Sequence, residues 1–356
     1  MPQMVTRVIQ TAVACAALAG AGIANTTASA IQTATMPALT RVETFKNHRF
    51  IYIDLGPAVF AQSNTTGDLM IVRLGGLGSM TEITSNSKTF VLPPVSDSYT
   101  RIGAAINDRG DVVGLVSSRR ADLPVLWRNR SLRVLGGLSM QSKSGGIASG
   151  LNNDGVIVGT HWLSHGRTEA VIFTENSMKP LPQPRGSVSS NARGITDAGT
   201  IFGGYTDRWK FTHAVIWRGG KTIALPALNG YLCCQVFCGN ARDEFAGVSI
   251  GLYGNQTATI WRKGKAIKLD SPDDAVSEVS CINRFGCAGG SITTATGDSH
   301  GVIWNDAVML DLNEAAIWTA SNTIFTQVYQ VDDNGLIFGQ SEVNGKRHAF
   351  ELIPVI

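Results

Sequence analysis

The feature that most restricts this chain is a short pattern that returns seven times, about every 44 residues, between Asn64 and Gly339. Its clearest copy reads Ile106-Asn107-Asp108-Arg109-Gly110-Asp111-Val112-Val113-Gly114. The other copies start on Ser63, Leu151, Ile195, Gly239, Ile282 and Val331. The next residue is polar in every copy: Asn64, Asn107, Asn152, Thr196, Asn240, Asn283 and Asp332. Four positions after the start stands a glycine, replaced only by Asp243. Eight positions after it stands another, replaced only by Ile71. Asn and Asp hydrogen-bond their own backbone and tolerate positive φ, and Gly adopts it freely. Strand-like runs such as Val156-Ile157-Val158 flank the turns, so each copy reads as a hairpin.

A second block follows each hairpin, clearest as Ala214-Val215-Ile216-Trp217, Ala258-Thr259-Ile260-Trp261 and Gly301-Val302-Ile303-Trp304. After a short turn, a further strand ends on Leu92, Leu135, Leu181, Leu225, Leu269 or Leu312. Each unit therefore holds four short strands, here A to D, which is the size of a β-propeller blade. The seventh unit ends at Ile356 without a D strand, while the chain before the first unit supplies a lone one, Phe50-Ile51-Tyr52-Ile53-Asp54-Leu55. Its Ile53-Asp54-Leu55 matches Leu310-Asp311-Leu312 at the end of the sixth unit. The expected fold is all-β: a seven-bladed propeller of four-stranded blades, closed by the N-terminal strand completing the last blade. An open solenoid would need polar end caps, which the apolar C-terminus from Phe350 to Ile356 does not provide.

The motif in Ile106 to Gly114, with Lys346-Arg347-His348-Ala349-Phe350 and the Trp block, resembles the HAF repeat family of bacterial extracellular proteins. The repeat's His returns as His213 and His300, while Leu123, Glu169 and Thr257 replace it elsewhere. The likeness covers about residues 50–356. It implies export and a propeller-like fold, and it implies no established activity.

The N-terminus agrees with export. Arg7 precedes an apolar run from Thr11 to Ala24, and Ala28-Ser29-Ala30 fits a signal cleavage site. The run is too short to span a bilayer, and no other segment of the mature chain is long and apolar enough. The expected organisation is a signal peptide at 1–30, a linker at 31–48 and the propeller at 49–356. Removing residues 1–30, which hold Arg7 and no acid, lowers the net charge from +3 to +2. That balance leaves no electrostatic footprint for nucleic acid. Of six cysteines, Cys15 leaves with the signal. Export favours disulfides, with Cys281–Cys287 across a hairpin and Cys238 with Cys234 or Cys233 as candidate pairs. The spacing does not support zinc.

Function is expected where the units differ. The A–B and C–D turns share one face and are repetitive; the B–C and D–A connections share the other and are irregular, the usual seat of binding groups. Unit three offers His161, Trp162, His165 and Arg167 there, and unit four offers Tyr205, Asp207, Arg208 and Trp209. Tyr231, Tyr253 and Trp318 are candidates for the rim of the same face. Aromatics beside charges suit stacking and hydrogen bonding to a glycan or protein ligand. The repeated Trp127, Trp217, Trp261 and Trp304 read as packing between blades, and the Asn/Asp/Gly turns as turn chemistry rather than calcium loops. Arg109-Gly110-Asp111 is an adhesive-type tripeptide whose Gly already belongs to the repeat. The expected protein is an exported monomeric binding or scaffold module without a cofactor. The alternative is a lyase or hydrolase using His161, His165, Asp207 and Arg208; no hydrolase, zinc-protease or phosphate-loop motif supports it.

Overall fold

The structure is a computed structural model that describes residues 49–75, 78–86, 88–94, 98–118, 121–139, 144–306, 308–318 and 322–355. The expected signal peptide, the linker and Cys15 lie outside these residues.

A lone strand, β1 (Arg49–Asp54), precedes the first unit. Blade 1 is β2 (Phe60–Ser63), β3 (Leu69–Gly75), β4 (Gly78–Ser85) and β5 (Lys88–Val91). Blade 2 is β6 (Ser98–Ile106), β7 (Val112–Ser118), β8 (Asp122–Arg128) and β9 (Ser131–Val134). Blade 3 is β10 (Gly146–Leu151), β11 (Ile157–Trp162), β12 (Thr168–Phe173) and β13 (Met178–Pro180). Blade 4 is β14 (Ser187–Ile195), β15 (Ile201–Asp207), β16 (Thr212–Arg218) and β17 (Lys221–Ala224). Blade 5 is β18 (Cys233–Gly239), β19 (Phe245–Ile250), β20 (Gln256–Arg262) and β21 (Lys265–Lys268). Blade 6 is β22 (Val276–Ile282), β23 (Ala288–Thr293), β24 (Ser299–Asn305) and β25 (Val308–Asp311). After the short β26 (Ala316–Trp318), blade 7 is β27 (Thr323–Val331), β28 (Ile337–Val343) and β29 (Lys346–Val355).

Each of the first six sheets runs A to D as an antiparallel meander, and the first strands of neighbouring blades touch one another around a central channel. The seventh sheet has the order β26-β1-β29-β28-β27. Strand β1 lies antiparallel on β29, with Tyr52 opposite Leu352 and Ile53 opposite Glu351. The N-terminal strand thus completes the last blade, as the sequence led us to expect. The sequence did not announce β26, which adds a parallel fifth strand outside β1.

No blade has a private core. Each apolar cluster is shared by two neighbours: Met70 and Ile83 of blade 1 meet Val125 and Trp127 of blade 2, for example. Blades 7 and 1 share Ile53, Phe338 and Ile353 with Ala61, Leu69 and Ile71. A large aliphatic or aromatic side chain moved out of water contributes roughly 1.5–3 kcal/mol. An open seam would forfeit that at each such residue, so closure follows from the repeat itself. The four tryptophans serve the same joints. Trp127, Trp217, Trp261 and Trp304 are buried, and each Nε1 donates to a carbonyl of the preceding connection: Pro93, Pro182, Pro226 and Asp270.

The two repeated glycines have different causes. Those at the fourth position have φ between +75° and +88°, from Gly110 to Gly286, and Asp243 takes φ +59° in their place. Those at the eighth position lie within strand B. Each stands opposite a β-bulge, where A-strand residue 104, 149, 193, 237, 280 or 329 is inserted without a partner. A side chain on Gly114, Gly159, Gly203, Gly247, Gly290 or Gly339 would overlap a carbonyl oxygen of the bulged strand. Blade 1 supports this reading. It carries Ile71 instead of the glycine, and β2 pairs with β3 without a shift.

The polar residue after the start also works twice in four of the copies. Asn107 Oδ1 accepts from the backbone N–H of Arg109 and Asp111, capping its own turn. Its Nδ2 donates to the Asn152 carbonyl of the next blade. Asn64 and Asn107, Asn240 and Asn283, and Asn283 and Asp332 are joined in the same way. An aspartate cannot donate, so at Asp332 the ring closes differently. Gln330 accepts from Ser63 N–H at 2.7 Å and donates to the Ser63 carbonyl at 2.8 Å.

Candidate functional site

On the irregular face, the B–C connection of blade 4 is held by Asp207. Its Oδ1 accepts from the N–H of Trp209 at 2.8 Å and of Phe211 at 3.0 Å, a local cap that pushes the loop tip outward. Its Oδ2 lies 3.0 Å from His213 Nε2, and the His213 ring stacks on Tyr205 with centroids 4.9 Å apart. The His213 hydrogen bond, helped by those two N–H groups, holds the Asp207 carboxyl below its ordinary range. Burial raises the Tyr205 phenol. The tip carries Arg208 with its guanidinium 4.3 Å from the Trp209 ring centre, and Trp209 is 65 % exposed.

Blade 5 presents its own B–C turn on the same face. Its B–C turn closes through Gly251 N–H to the Asn255 carbonyl and presents Leu252 at 67 % and Tyr253 at 92 % exposure. Phe211, Leu232 and Val188 are also exposed here. Tyr231 Oη lies 2.7 Å from Thr257 Oγ1, which ties the incoming connection to this blade. The patch is apolar and aromatic, with Arg208 and Lys210 exposed among it.

The unit-three residues have different surroundings. Trp162 donates its backbone N–H to the Gly145 carbonyl at 2.8 Å, and its ring rests against that glycine. His161 has its Nε2 buried without a partner. His165 and Arg167 are exposed around a tight 3-10 turn, where His165 has φ +62°. Among the described residues no hydrogen bond, ion pair or ring contact links these four to Tyr205, Asp207, Arg208 or Trp209. Asp207, the carboxylate of the lyase or hydrolase alternative, is engaged by His213.

The repeat's histidines are clamps. His300 Nδ1 lies 2.5 Å from Asp311 Oδ2, joining strands C and D of blade 6. His348 Nδ1 lies 2.8 Å from Asp54 Oδ2, the same joint made across the closure. Blade 4 has Ala224 in its D strand, and His213 turns to Asp207 instead. The adhesive-type tripeptide is also spoken for: Asp111 is buried and accepts from Arg128 Nε at 3.0 Å and Nη2 at 2.8 Å.

The expected disulfides are absent: Cys233, Cys234, Cys238, Cys281 and Cys287 are all free. Cys234 and Cys238 are four residues apart on one strand, about 13 Å at the usual rise, beyond the reach of a bridge. Cys281 stands opposite Gly289, and Cys287 is two places nearer the turn, beside Asn283. Both cysteines pack as small apolar side chains between blades 6 and 7. Among the described residues no group of three or more His, Cys, Asp or Glu is placed to hold a metal, and no helix is long and apolar enough to cross a membrane.

Seven four-stranded blades around a channel, with one blade shared by the chain's two ends, define a β-propeller. No family model matches the chain, and no curated protein matches it in sequence. Solved structures do resemble it. The β-propeller domain of the Trilobed protease from Pyrococcus furiosus superposes with a TM-score of 0.54 at 11% identity, covering 85% of this chain and 96% of that one. A puromycin-hydrolyzing peptidase of Mycobacterium tuberculosis gives a TM-score of 0.57 at 11% identity, over 90% of this chain and 53% of its own. One of two prolyl endopeptidases gives 0.54 at 12%, over 85% and 50%. This chain spans about half the length of the last two. Identities this low speak for the fold alone.

Proposed function

We propose that this protein is an exported binding module of the HAF repeat type that holds a glycan on the irregular face of blades 4 and 5. The observation that carries the reading is the pairing of Trp209 and Tyr253, two strongly exposed aromatics on adjacent blades. Free aromatic faces stack on the apolar side of sugar rings, and the flanking Arg208 and Lys210 supply donors to hydroxyl or acidic groups. The loop is preorganised by the Asp207 cap and by Arg208 lying over Trp209, so little ordering remains to be done on binding. The signal-like N-terminus and the resemblance to extracellular repeats support export. The enzyme reading is weaker, because its four residues lie on two unlinked loops.

A glycan array on the protein, repeated with Trp209→Ala and Tyr253→Ala, tests this. Each change is expected to weaken binding at least about tenfold, as loss of an aromatic anchor does. Glycan binding that survives both would reject this face. Binding to proteins but to no glycan would reject the ligand class.

A further inference from the structure

The six bulges share a property that the hairpin pattern hides. Each inserts one A-strand residue just before the repetitive turn: Ala104, Ser149, Arg193, Phe237, Ser280 and Tyr329. All six line one cavity of about 480 Å³ at the turn-face end of the central channel. That volume suits a small molecule. Bulges beside functional sites re-aim a side chain. Here they do so six times in one layer, and the residues displayed vary, with only serine occurring twice, although their neighbours repeat.

The layer is chemically uneven. Arg193 is its cation. It has no carboxylate within ion-pair distance; its guanidinium lies 4.7 Å from the Phe237 ring centre and donates a long, 3.4 Å hydrogen bond to Gln235 Oε1. The carboxylate that acts on it across space is Glu278 of blade 6, whose own pKa burial raises. Desolvation by the channel walls lowers the Arg193 pKa, so this cation is poorly compensated. Tyr329, tilted against Phe60 at 5.4 Å between ring centres, supplies a further aromatic wall. The mouth argues against highly charged anions. Asp108 and Asp197 stand at its rim, and Arg284 there is already paired with Asp333 at 3.4 Å.

We propose that the central channel is a second binding site, separate from the irregular face, that takes a small monocarboxylate carried on a flat apolar body. Arg193 receives the carboxylate in its planar fork, and Phe237 and Tyr329 flank the body. The site needs neither a metal nor a covalent step.

The test compares 3-phenylpropionate with 3-phenylpropanamide by calorimetric titration of the full chain. The acid is expected to bind saturably and at least about tenfold more tightly than the amide, the scale of one charge-assisted hydrogen bond. Arg193→Gln should abolish that preference, and Phe237→Ala should weaken both compounds. Equal binding of acid and amide, no saturable binding of the acid at millimolar concentration, or a preference that persists in Arg193→Gln would each overturn the proposal. If Arg193→Gln fails to fold, the acid–amide comparison on the unaltered chain decides alone.

Discussion

Gly155 and Gly159 sit four residues apart and are required for unrelated reasons. At Gly155 the backbone has φ +83°, a conformation in which a Cβ costs roughly 1–2 kcal/mol. At Gly159 the strand is ordinary, but a Cβ would strike the Ile147 carbonyl oxygen. That clash is with backbone and has no side chain to push aside. Gly159→Ala should therefore cost more than Gly155→Ala, at least about 3 kcal/mol in urea unfolding, because it removes the bulge as well. Equal costs would refute the link between this glycine and the bulge. The sequence made half of this legible. The fourth-position glycine and its Asp243 substitute read directly as turn chemistry. The eighth-position glycine reads as part of the same turn until the register is known. Its true partner is a carbonyl on the other strand, a contact no local pattern encodes. The donor half of Asn107 escaped for the same reason: the carbonyl it serves belongs to the next blade.

Among the strands, β1 and β29 carry the ring's closure. The match of Ile53-Asp54-Leu55 to Leu310-Asp311-Leu312 disclosed it from sequence, because equivalent D strands need the same inward side chains and the same aspartate for the C-strand histidine. Strand β26 had no such signature, being a three-residue addition outside the repeat. The seam contains one ill-matched group. Glu351 pairs with Ile53 and is buried, and its pKa is pushed up to about 7 by desolvation and by the neighbouring Asp332 carboxyl. In the unfolded chain the same group titrates near 4.3. The folded state therefore holds a proton that the unfolded state has released between those values. The contribution is fully present below about pH 4 and is lost as pH rises through 7, by at most about 4 kcal/mol. Glu351→Gln should flatten the fall in urea midpoint between pH 5 and 8 and raise stability at pH 8. An unchanged slope would show that Glu351 is not the group responsible.

For the molecule as a whole, the seven shared cores explain why the thiols stay unpaired. Cys234, Cys281 and Cys287 lie in the seams between blades, and burial pushes their pKa values up, to about 11 for Cys234 and about 12 for Cys281. Thiolate is the reactive form, so these groups resist both oxidation and labelling while the ring is intact. Alkylation in denaturant without reductant should mark all five cysteines from Cys233 to Cys287, and native protein at pH 8 should take up almost no label. A deficit of two labels in denaturant would reveal a bridge. On the irregular face the unit-four turn was legible in sequence, because Asp207-Arg208-Trp209 caps itself locally. The packing of Trp162 against Gly145 was not legible, because that contact joins residues 17 positions apart across a strand pair. The channel layer went unread, since period-two alternation cannot foresee an inserted residue. Those insertions also have a consequence for change over time. A residue placed where neither the hydrogen-bond ladder nor the apolar seams depend on it can be exchanged freely. Six such positions facing one small volume would let a single scaffold be retuned to new molecules by point substitution, with the wheel itself left as it is.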